Sequence, residues 1–312
     1  MDNMVVVEVK NLTKKFGPAK TSGLIAVDDI SFSIKTGEIV GLLGPNGAGK
    51  TTTIDMLIGI LKPSSGSITI FGKPFEQNRR DILQEMNFSA AYIHLPWKMR
   101  IWENLYTFGR LYQVKNYKVK SEELMEEFML TDLRNKFIKD LSSGQQARVY
   151  LCKAFINDPK LLLLDEPTAF MDPDIADTLR KLIVQKVKTT GTTVIFTSHN
   201  MAEVTELCDR VIFLNKGKIV DEDTPEALAK KIGSCRVHLM IIDGQKRTLS
   251  WCEEQKITAN AYGRYVTVEL KEKEIATFLS KLADIGVEYD EISIDKPTLE
   301  DFFLKVTREG KI

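Results

Sequence analysis

The stretch of sequence that decides the fold is a glycine-rich loop set between an apolar run and a helical pattern. It reads Gly44-Pro45-Asn46-Gly47-Ala48-Gly49-Lys50-Thr51-Thr52 and matches the pattern G-x-x-x-x-G-K-[ST]. Residues 38–43 before it are a short apolar run typical of a buried strand, and residues 52–61 after it have a helical pattern. Glycines let the backbone turn so that successive N–H groups point into one concavity at a helix N-terminus, where anions are stabilised. The stretch therefore predicts a loop that binds phosphate.

Two side chains at the end of this loop have predicted roles. In this pattern the lysine, Lys50, reaches the β- and γ-phosphates of a nucleotide, and the hydroxyl of Thr51 completes the shell of a Mg²⁺ ion. The whole stretch from Gly44 to Thr52 is predicted to contact the nucleotide. The alternative is a glycine-rich turn with a chance lysine. The order of strand, loop, Lys-Thr and helix favours the nucleotide site.

Composition places the chain among ordinary globular proteins. Its 312 residues suit one large domain plus a small one. Lys+Arg and Asp+Glu are equal at 43 each, so net charge gives no argument for nucleic acid or a polybasic membrane patch. No apolar run approaches the ~20 residues that span a bilayer, and the N-terminus lacks the pattern of a signal peptide. The four cysteines form no C-x-x-C pair, so we expect reduced thiols in a cytosolic protein rather than metal ligands.

Strand patterns flank the phosphate loop on both sides, and a helical pattern follows. Ile30, Phe32 and Ile34 alternate with polar residues, which predicts a sheet with one solvated face. Residues 68–72 return as a strand, so an antiparallel layer is predicted around the loop. From residue 101 to about 130 the periodicity becomes helical. This predicts a helical insert whose aromatic residues pack in the core.

Two adjacent carboxylates, Asp165 and Glu166, follow four consecutive leucines. An apolar run without alternation is typical of a strand in the centre of a parallel sheet, and ligands bind beyond the carboxyl ends of such strands. Successive side chains of a strand point in different directions. We therefore predict that Asp165 holds Mg²⁺, usually through water, and that Glu166 is the general base. An acidic turn after a core strand is the alternative.

His199 also follows an apolar strand pattern directly, after Thr197 and Ser198. This polar ending is similar to the one at Asp165 and Glu166, so we expect the two strand tips to be neighbours in one sheet. A neutral imidazole there can hydrogen-bond a γ-phosphate and orient water. A purely structural histidine is the alternative.

In order and approximate spacing, these elements resemble the ATP-binding subunit of ABC transporters. The diagnostic element of that family is Leu-Ser-x-Gly-Gln, present here as the signature segment Leu141-Ser142-Ser143-Gly144-Gln145. The resemblance covers residues 5–232. It implies an α/β fold with a RecA-like P-loop NTPase core, an antiparallel β layer and a helical subdomain at about 87–157. The predicted nucleotide-binding domain is residues 1–232.

The resemblance also implies how a complete site is assembled. In this family two subunits dimerise head-to-tail and hold two ATP molecules between them. Ser142, Gly144 and Gln145 would contact the nucleotide bound by the other subunit, and Asp172 falls in the loop that couples the two sites. Phe16 matches the aromatic residue that stacks on adenine, with an ordinary core phenylalanine as the alternative.

The sequence departs from the family pattern at two notable positions. Ser143 replaces the more usual glycine and adds a side chain where backbone approaches phosphate. The family also has a glutamine near residue 90 that contacts Mg²⁺ and the membrane partner. Here Ala91 or a close neighbour stands in its place, and residues 87–92 contain no glutamine. Mg²⁺ coordination is then expected to rely on Thr51, Asp165 and water.

Residues 235–312 are predicted to form a small α+β accessory domain. Strands are expected at 236–242, 247–251, 264–270 and 287–294, with an amphipathic helix at 272–285 and a terminal helix at 299–306. The ending, residues 292–303, resembles the C-terminal extension of ATP-binding subunits of ABC-2 type exporters. That resemblance implies a separately encoded ABC-2 type membrane permease as partner.

The leading hypothesis is an ATPase subunit that powers an exporter from the cytoplasmic face of the cell membrane. The family resemblance implies that ATP binding closes a dimer. The second partner, besides the permease, is therefore another ATP-binding subunit. A second copy or a different cassette could fill that place. A soluble ABC protein acting on ribosomes or DNA is the first alternative, although the chain has one phosphate loop, one signature and no heptad insert. An importer subunit is the second.

Overall fold

The computed structural model describes residues 4–17, 23–90 and 95–309 of the chain. These residues form two compact units, Met1–Pro225 and Glu226–Ile312. The observed division lies at the start of a short helix, Pro225–Lys230. The sequence placed this helix in the first domain, with the boundary at 232–235, so the division falls slightly earlier than predicted.

An antiparallel sheet forms one layer of the first unit. Its strands are β1 (Val5–Phe16), β2 (Leu24–Lys35), β4 (Ser65–Ile70) and β5 (Lys73–Pro74). Their order is β2-β1-β4-β5. The alternation that predicted a half-buried strand is present, because Ile30, Phe32 and Ile34 are buried while their neighbours face outward.

A six-stranded sheet forms the centre of the first unit. Its strands are β3 (Ile39–Leu43), β6 (Met86–Ala90), β7 (Leu161–Asp165), β8 (Thr193–Thr197), β9 (Arg210–Asn215) and β10 (Lys218–Asp223). The order is β10-β9-β3-β8-β7-β6, with every pairing parallel except that of β10 with β9. Strands β3 and β8 are buried along their whole length, as expected for central strands covered on both faces.

Helices complete the first unit. They are α1 (Lys50–Leu57), α2 (Phe75–Gln84), α3 (Ile101–Leu111), α4 (Tyr117–Glu127), α5 (Ser143–Ala154), α6 (Pro173–Thr190) and α7 (Met201–Leu207). One apolar core lies between the antiparallel sheet, α1 and the central sheet. It includes Val9 and Ile30 from the first sheet, Met56 from α1, and Leu42 and Leu163 from the central strands.

A buried lysine joins α5 to strand β6. Lys153 is 9% exposed, and its Nζ donates to Asn87 Oδ1 at 3.0 Å and to the Phe88 carbonyl at 2.8 Å. Burial lowers the pKa of Lys153 to about 8, because the charged ammonium is poorly solvated there. The helix that begins at the signature segment is thereby anchored to the edge strand of the central sheet.

The second unit is a four-stranded antiparallel sheet with helices. Its elements after the short helix α8 (Pro225–Lys230) are β11 (Cys235–Asp243), α9 (Gln245–Glu254), β12 (Ala259–Tyr262), β13 (Tyr265–Leu270), α10 (Ile275–Asp284), β14 (Glu288–Asp295) and α11 (Leu299–Glu309). The strand order is β12-β13-β11-β14. Its own core brings Leu239 and Val266 of the sheet against Cys252 of α9 and Phe278 and Leu282 of α10.

One predicted element of this unit is wrong. Residues 247–251 were expected to be a strand, but they lie within helix α9. Gly244, at φ 93°, ends β11 and caps the start of this helix. Thr248 and Cys252, one helical turn apart, are its fully buried residues. Strand β12, which the sequence did not predict, takes the vacant place in the sheet.

Within the described residues, no helix combines the length and the apolar composition needed to cross a membrane.

The burial of Lys153 predicts a pH-dependent stability. Its pKa is about 8 when folded and 10.5 in the reference state, so between these values the unfolded chain binds more protons. Below pH 8 the buried ammonium lowers the unfolding free energy by its full amount. This destabilisation disappears as the pH rises toward 10.5. Relative to Lys153→Met, which carries no charge, the wild type should gain up to about 1.4 kcal/mol of unfolding free energy per pH unit in this window.

Urea unfolding of both proteins at about pH 7 to 10 measures this difference. A difference that stays constant with pH would contradict the lowered pKa of Lys153 in the folded protein.

Candidate nucleotide-binding and catalytic site

The phosphate loop packs so closely on neighbouring backbone that glycine is required at two positions. A Cβ on Gly44, at φ 147°, would lie 2.1 Å from the Leu214 carbonyl oxygen, and one on Gly49, at φ 104°, would lie 2.5 Å from that of Ala26. The Ala48 carbonyl also accepts a hydrogen bond from Gly217 N at 3.0 Å. The loop is therefore held between strand β2 and the β9–β10 hairpin.

The loop leads directly into helix α1, whose first turn has backbone donors to offer. Gly49 is the N-cap and supplies no side chain, and the first turn contains no acidic residue. The first helical bond is donated by Thr53 N to Gly49 O at 2.9 Å. The N–H groups of Lys50, Thr51 and Thr52 precede it and have no partner within the helix. This is the arrangement that binds phosphate oxygens at a helix N-terminus.

Lys50 lies over the loop. Its Nζ donates to the Gly44 carbonyl at 2.5 Å and the Pro45 carbonyl at 3.2 Å. The pKa of Lys50 is lowered, because the effect of burial is larger than the opposing effect of the nearby Glu166 and Asp165 carboxylates. The structure thus brings the lysine of the loop and the two carboxylates after β7 into one electrostatic neighbourhood.

The tips of β7 and β8 are joined by a residue that the sequence analysis missed. Asp165 lies opposite Thr197 in the parallel pairing of the two strands. Thr197 Oγ1 donates to Asp165 Oδ1 at 2.5 Å, and Glu166 N donates to the Thr197 carbonyl at 3.1 Å. A threonine that ends an otherwise apolar strand was the available signal. This contact fixes the direction of the Asp165 carboxylate.

Glu166 and His199 meet at this edge of the sheet, as the similar strand endings predicted. His199 Nε2 lies 2.8 Å from Glu166 Oε1. The Glu166 side chain is 24% exposed and that of His199 is 53% exposed. Glu166 has φ 51°, a left-handed conformation that non-glycine residues adopt uncommonly and that often marks functional sites.

The surroundings of Asp165 are acidic. Burial raises the pKa of Asp55, on α1, and the neighbouring Asp165 charge adds to this rise. Within the described residues, no group of three or more His, Cys, Asp or Glu side chains is arranged to hold a metal ion. The predicted metal residues, Thr51 at the start of α1 and Asp165 at the end of β7, remain a prediction.

The signature segment begins helix α5. Ser142 is the N-cap, its Oγ accepts from Gln145 N at 3.3 Å, and its own N donates to Gln145 Oε1 at 3.2 Å. Ser142 and Ser143 are exposed, so the extra side chain of Ser143 lies on the surface. Gly144 packs on the Phe170 carbonyl, which a Cβ would approach to 2.9 Å.

Three further positions were singled out in the sequence, and the structure describes two of them. Asp172 is exposed at the N-cap of α6. Phe16 ends β1 and is 39% exposed, and Lys14 Nζ lies 5.2 Å from the centre of its ring. This is more exposure than an ordinary core phenylalanine has. Ala91, at the expected position of the family's glutamine, lies outside the described residues.

Comparison with known proteins identifies relatives of this chain. A family model described as ABC transporter matches residues 27–169, which contain the phosphate loop, the signature segment and Asp165-Glu166. The chain is 32% identical to the ABC transporter ATP-binding protein YhcH of Bacillus subtilis over 98% of this chain and 97% of that one. It is 31% identical to Nod factor export ATP-binding protein I of Rhizobium meliloti over 97% of this chain and 88% of that one.

A solved structure agrees with the fold. A dimeric ATP-binding cassette, in a post-hydrolysis state with ADP and phosphate, superposes with a TM-score of 0.65. It is 24% identical and covers 70% of this chain and 98% of its own. The predicted cassette core, with its antiparallel layer and helical part, is confirmed.

The close packing of Gly49 predicts a large effect of a small substitution. Gly49→Ala adds a Cβ against a fixed backbone carbonyl, whereas Gly72→Ala adds one where nothing lies within 4 Å, and both glycines have positive φ. Both variants should lose about 1–2 kcal/mol from the left-handed backbone. Gly49→Ala should lose a further 1–3 kcal/mol from overpacking.

Urea unfolding and calorimetric titration with ATP measure the two effects. We expect ATP affinity to fall only for Gly49→Ala. Equal losses in the two variants would show that backbone conformation alone decides the cost.

Proposed function

This chain belongs to the family of ABC transporter ATP-binding proteins, and we propose that it powers export by closing an ATP sandwich with a second cassette. It is an ATPase and the ATP-binding subunit of a transporter. The observation that carries its mechanism is the meeting of the phosphate loop with Asp165, Glu166 and His199 at one sheet edge. What we propose beyond this is that transport is export and that two cassettes form a dimer around ATP.

Binding of ATP is assigned to the backbone of the loop and to Lys50. The free N–H groups at the start of α1 would receive phosphate oxygens, and the ammonium of Lys50 would neutralise the charge of the terminal phosphates. Phe16, exposed at the end of β1, would offer its ring to the adenine.

The residues present suit Mg²⁺ as cofactor. Thr51 offers a hydroxyl oxygen and Asp165 a carboxylate oriented by Thr197, which are the hard oxygen donors that Mg²⁺ prefers. Asp165 would act through a bound water. When bound, the ion supplies positive charge to the phosphates.

Proton transfer is assigned to Glu166. It follows Asp165 at the mouth of the site, and its carboxylate can accept the proton of an attacking water. His199, whose Nε2 lies 2.8 Å from Glu166 Oε1, would hold that carboxylate and reach the γ-phosphate side of the site.

A second cassette would complete the site. Ser142, Gly144 and Gln145 lie at an exposed helix start, whose backbone dipole favours a phosphate presented by another subunit. Asp172 is exposed after Glu166, where it can contact the partner. The dimeric state of the structural neighbour supports this arrangement.

Export through an ABC-2 type permease is proposed from the relatives. Nod factor export ATP-binding protein I matches 97% of this chain, including the second unit. The chain would sit on the cytoplasmic face of the membrane as a peripheral subunit held by that permease.

Glu166→Gln tests the assigned base. The variant keeps the shape of the side chain but accepts no proton, so ATP binding should persist while turnover falls about 10²-fold or more. Single-turnover hydrolysis and calorimetric ATP titration measure the two quantities. Turnover close to that of the wild type would exclude Glu166 as the base.

Lys50→Ala tests the phosphate loop. Removal of the ammonium should abolish tight ATP binding, because the phosphates lose the positively charged side chain of the loop. Lys62→Ala is the matched control, since Lys62 is an exposed lysine paired with Glu76. Unchanged affinity for ATP in Lys50→Ala would contradict the site.

Purification of the tagged chain from membranes tests the partner. We expect a membrane permease to co-purify in a detergent-stable complex. Recovery with a solute-binding importer would overturn the direction of transport, and recovery with ribosomes would overturn the transport assignment of this proposal.

A further inference from the structure

A buried carboxylate outside the site described above connects the two loops that follow strands β7 and β8. These loops carry Glu166 and His199. Glu203, on α7, is 6% exposed, although glutamate is seldom buried unless it is paired. Thr168 Oγ1 lies 2.9 Å from each of its carboxylate oxygens. Ser198 Oγ donates to Oε2 at 2.9 Å, and Arg180 Nη1 donates to Oε1 at 3.0 Å.

The positions of these two hydroxyls in the sequence give the contact its meaning. Thr168 lies two residues after Glu166, and Ser198 immediately precedes His199. One carboxylate therefore holds the loop that carries the proposed base and the loop that carries the histidine. The Glu166–His199 contact of 2.8 Å lies between the two tethered loops.

The charge of Glu203 is balanced without help from the catalytic residues. Arg180, on α6, is 15% exposed and also lies 2.9 Å from Glu206 and 3.4 Å from Asp177. The buried ion pair satisfies one side of Glu203, which leaves the hydroxyl contacts for the loops. Thr168 is itself 6% exposed, so loss of the carboxylate would leave a buried hydroxyl without its acceptor.

We infer that Glu203 is a positioning residue that sets the relative geometry of Glu166 and His199 through Thr168 and Ser198. Among the described residues the hydrogen-bond partners of its carboxylate are Thr168, Ser198 and Arg180, and none of these three is a residue assigned to the nucleotide. This inference rests on the proposed function, because it takes Glu166 as the base. A displacement of about 1 Å at a reacting group lowers a rate by up to about 10²-fold, so small loop shifts have measurable consequences.

The test compares Glu203→Gln with Glu206→Gln. Both residues lie on α7 and bind Arg180, but Glu203 alone of the two accepts from Thr168 and Ser198 in the described structure. Glu203→Gln should lower kcat about 10-fold or more while the KM for ATP changes less than about twofold. Glu206→Gln should keep the wild-type kcat.

Thr168→Val and Thr168→Ser provide a second test if Glu203→Gln does not fold. Valine keeps the shape but removes the hydroxyl, so kcat should fall, and serine should restore most of it. Because the effect of Thr168 runs through its contact with Glu203, the double variant Thr168→Val, Glu203→Gln should lower kcat no further than the stronger single variant does.

Three results would overturn the inference. They are a melting temperature that falls while kcat per folded molecule is unchanged, an equal loss in Glu206→Gln, and equal kcat in Thr168→Val and Thr168→Ser. The Glu166→Gln variant separates the two claims. If it hydrolyses ATP normally the base is wrong, whereas if it is inactive and Glu203→Gln is normal, only the positioning role fails.

Discussion

The approach of the phosphate loop to two backbone carbonyls is the constraint on which the rest of the first unit depends. Gly44 lies against Leu214 of β9, and Gly49 lies against Ala26 of β2, at separations that exclude any side chain. The antiparallel sheet and the central sheet therefore both pack against this one loop. Their shared core then fixes the direction of α1, and with it the direction of the N–H groups at its start. The binding geometry is a result of backbone packing before any side chain contributes.

The sequence was most informative where a pattern is local. The loop, its flanking strand and helix, and the carboxylates after four leucines are contiguous, so their identity and position could be predicted together. The neighbourhood of β7 and β8 followed from two strands that end in polar residues, and it is confirmed. The contact of Thr197 with Asp165 was missed although Thr197 ends an apolar strand, and Glu203 was missed because a single glutamate carries no periodic signal. Glu203 is 35 residues from Thr168, and only the folded chain brings them together.

The second unit shows the opposite limit. Residues 247–251 were predicted as a strand but form part of a helix, because Gly244 turns the chain and the buried pair Thr248 and Cys252 has helical spacing. A pattern of only five residues does not distinguish a strand from a helix. The number of strands was predicted correctly, but one of them was placed in the wrong segment. Tertiary packing decided between patterns that were locally equivalent.

The contacts of Lys50 make nucleotide binding an exchange. Its ammonium is already solvated by the carbonyls of Gly44 and Pro45, so an arriving phosphate must offer more than these two oxygens do. A single weakly charged anion gains little from such an exchange. A polyphosphate, which can also engage the helix start, gains on both sides at once. The loop therefore selects among anions by the number of contacts that they make simultaneously. This selectivity arises because the carbonyls of Gly44 and Pro45 compete with the anion for Lys50.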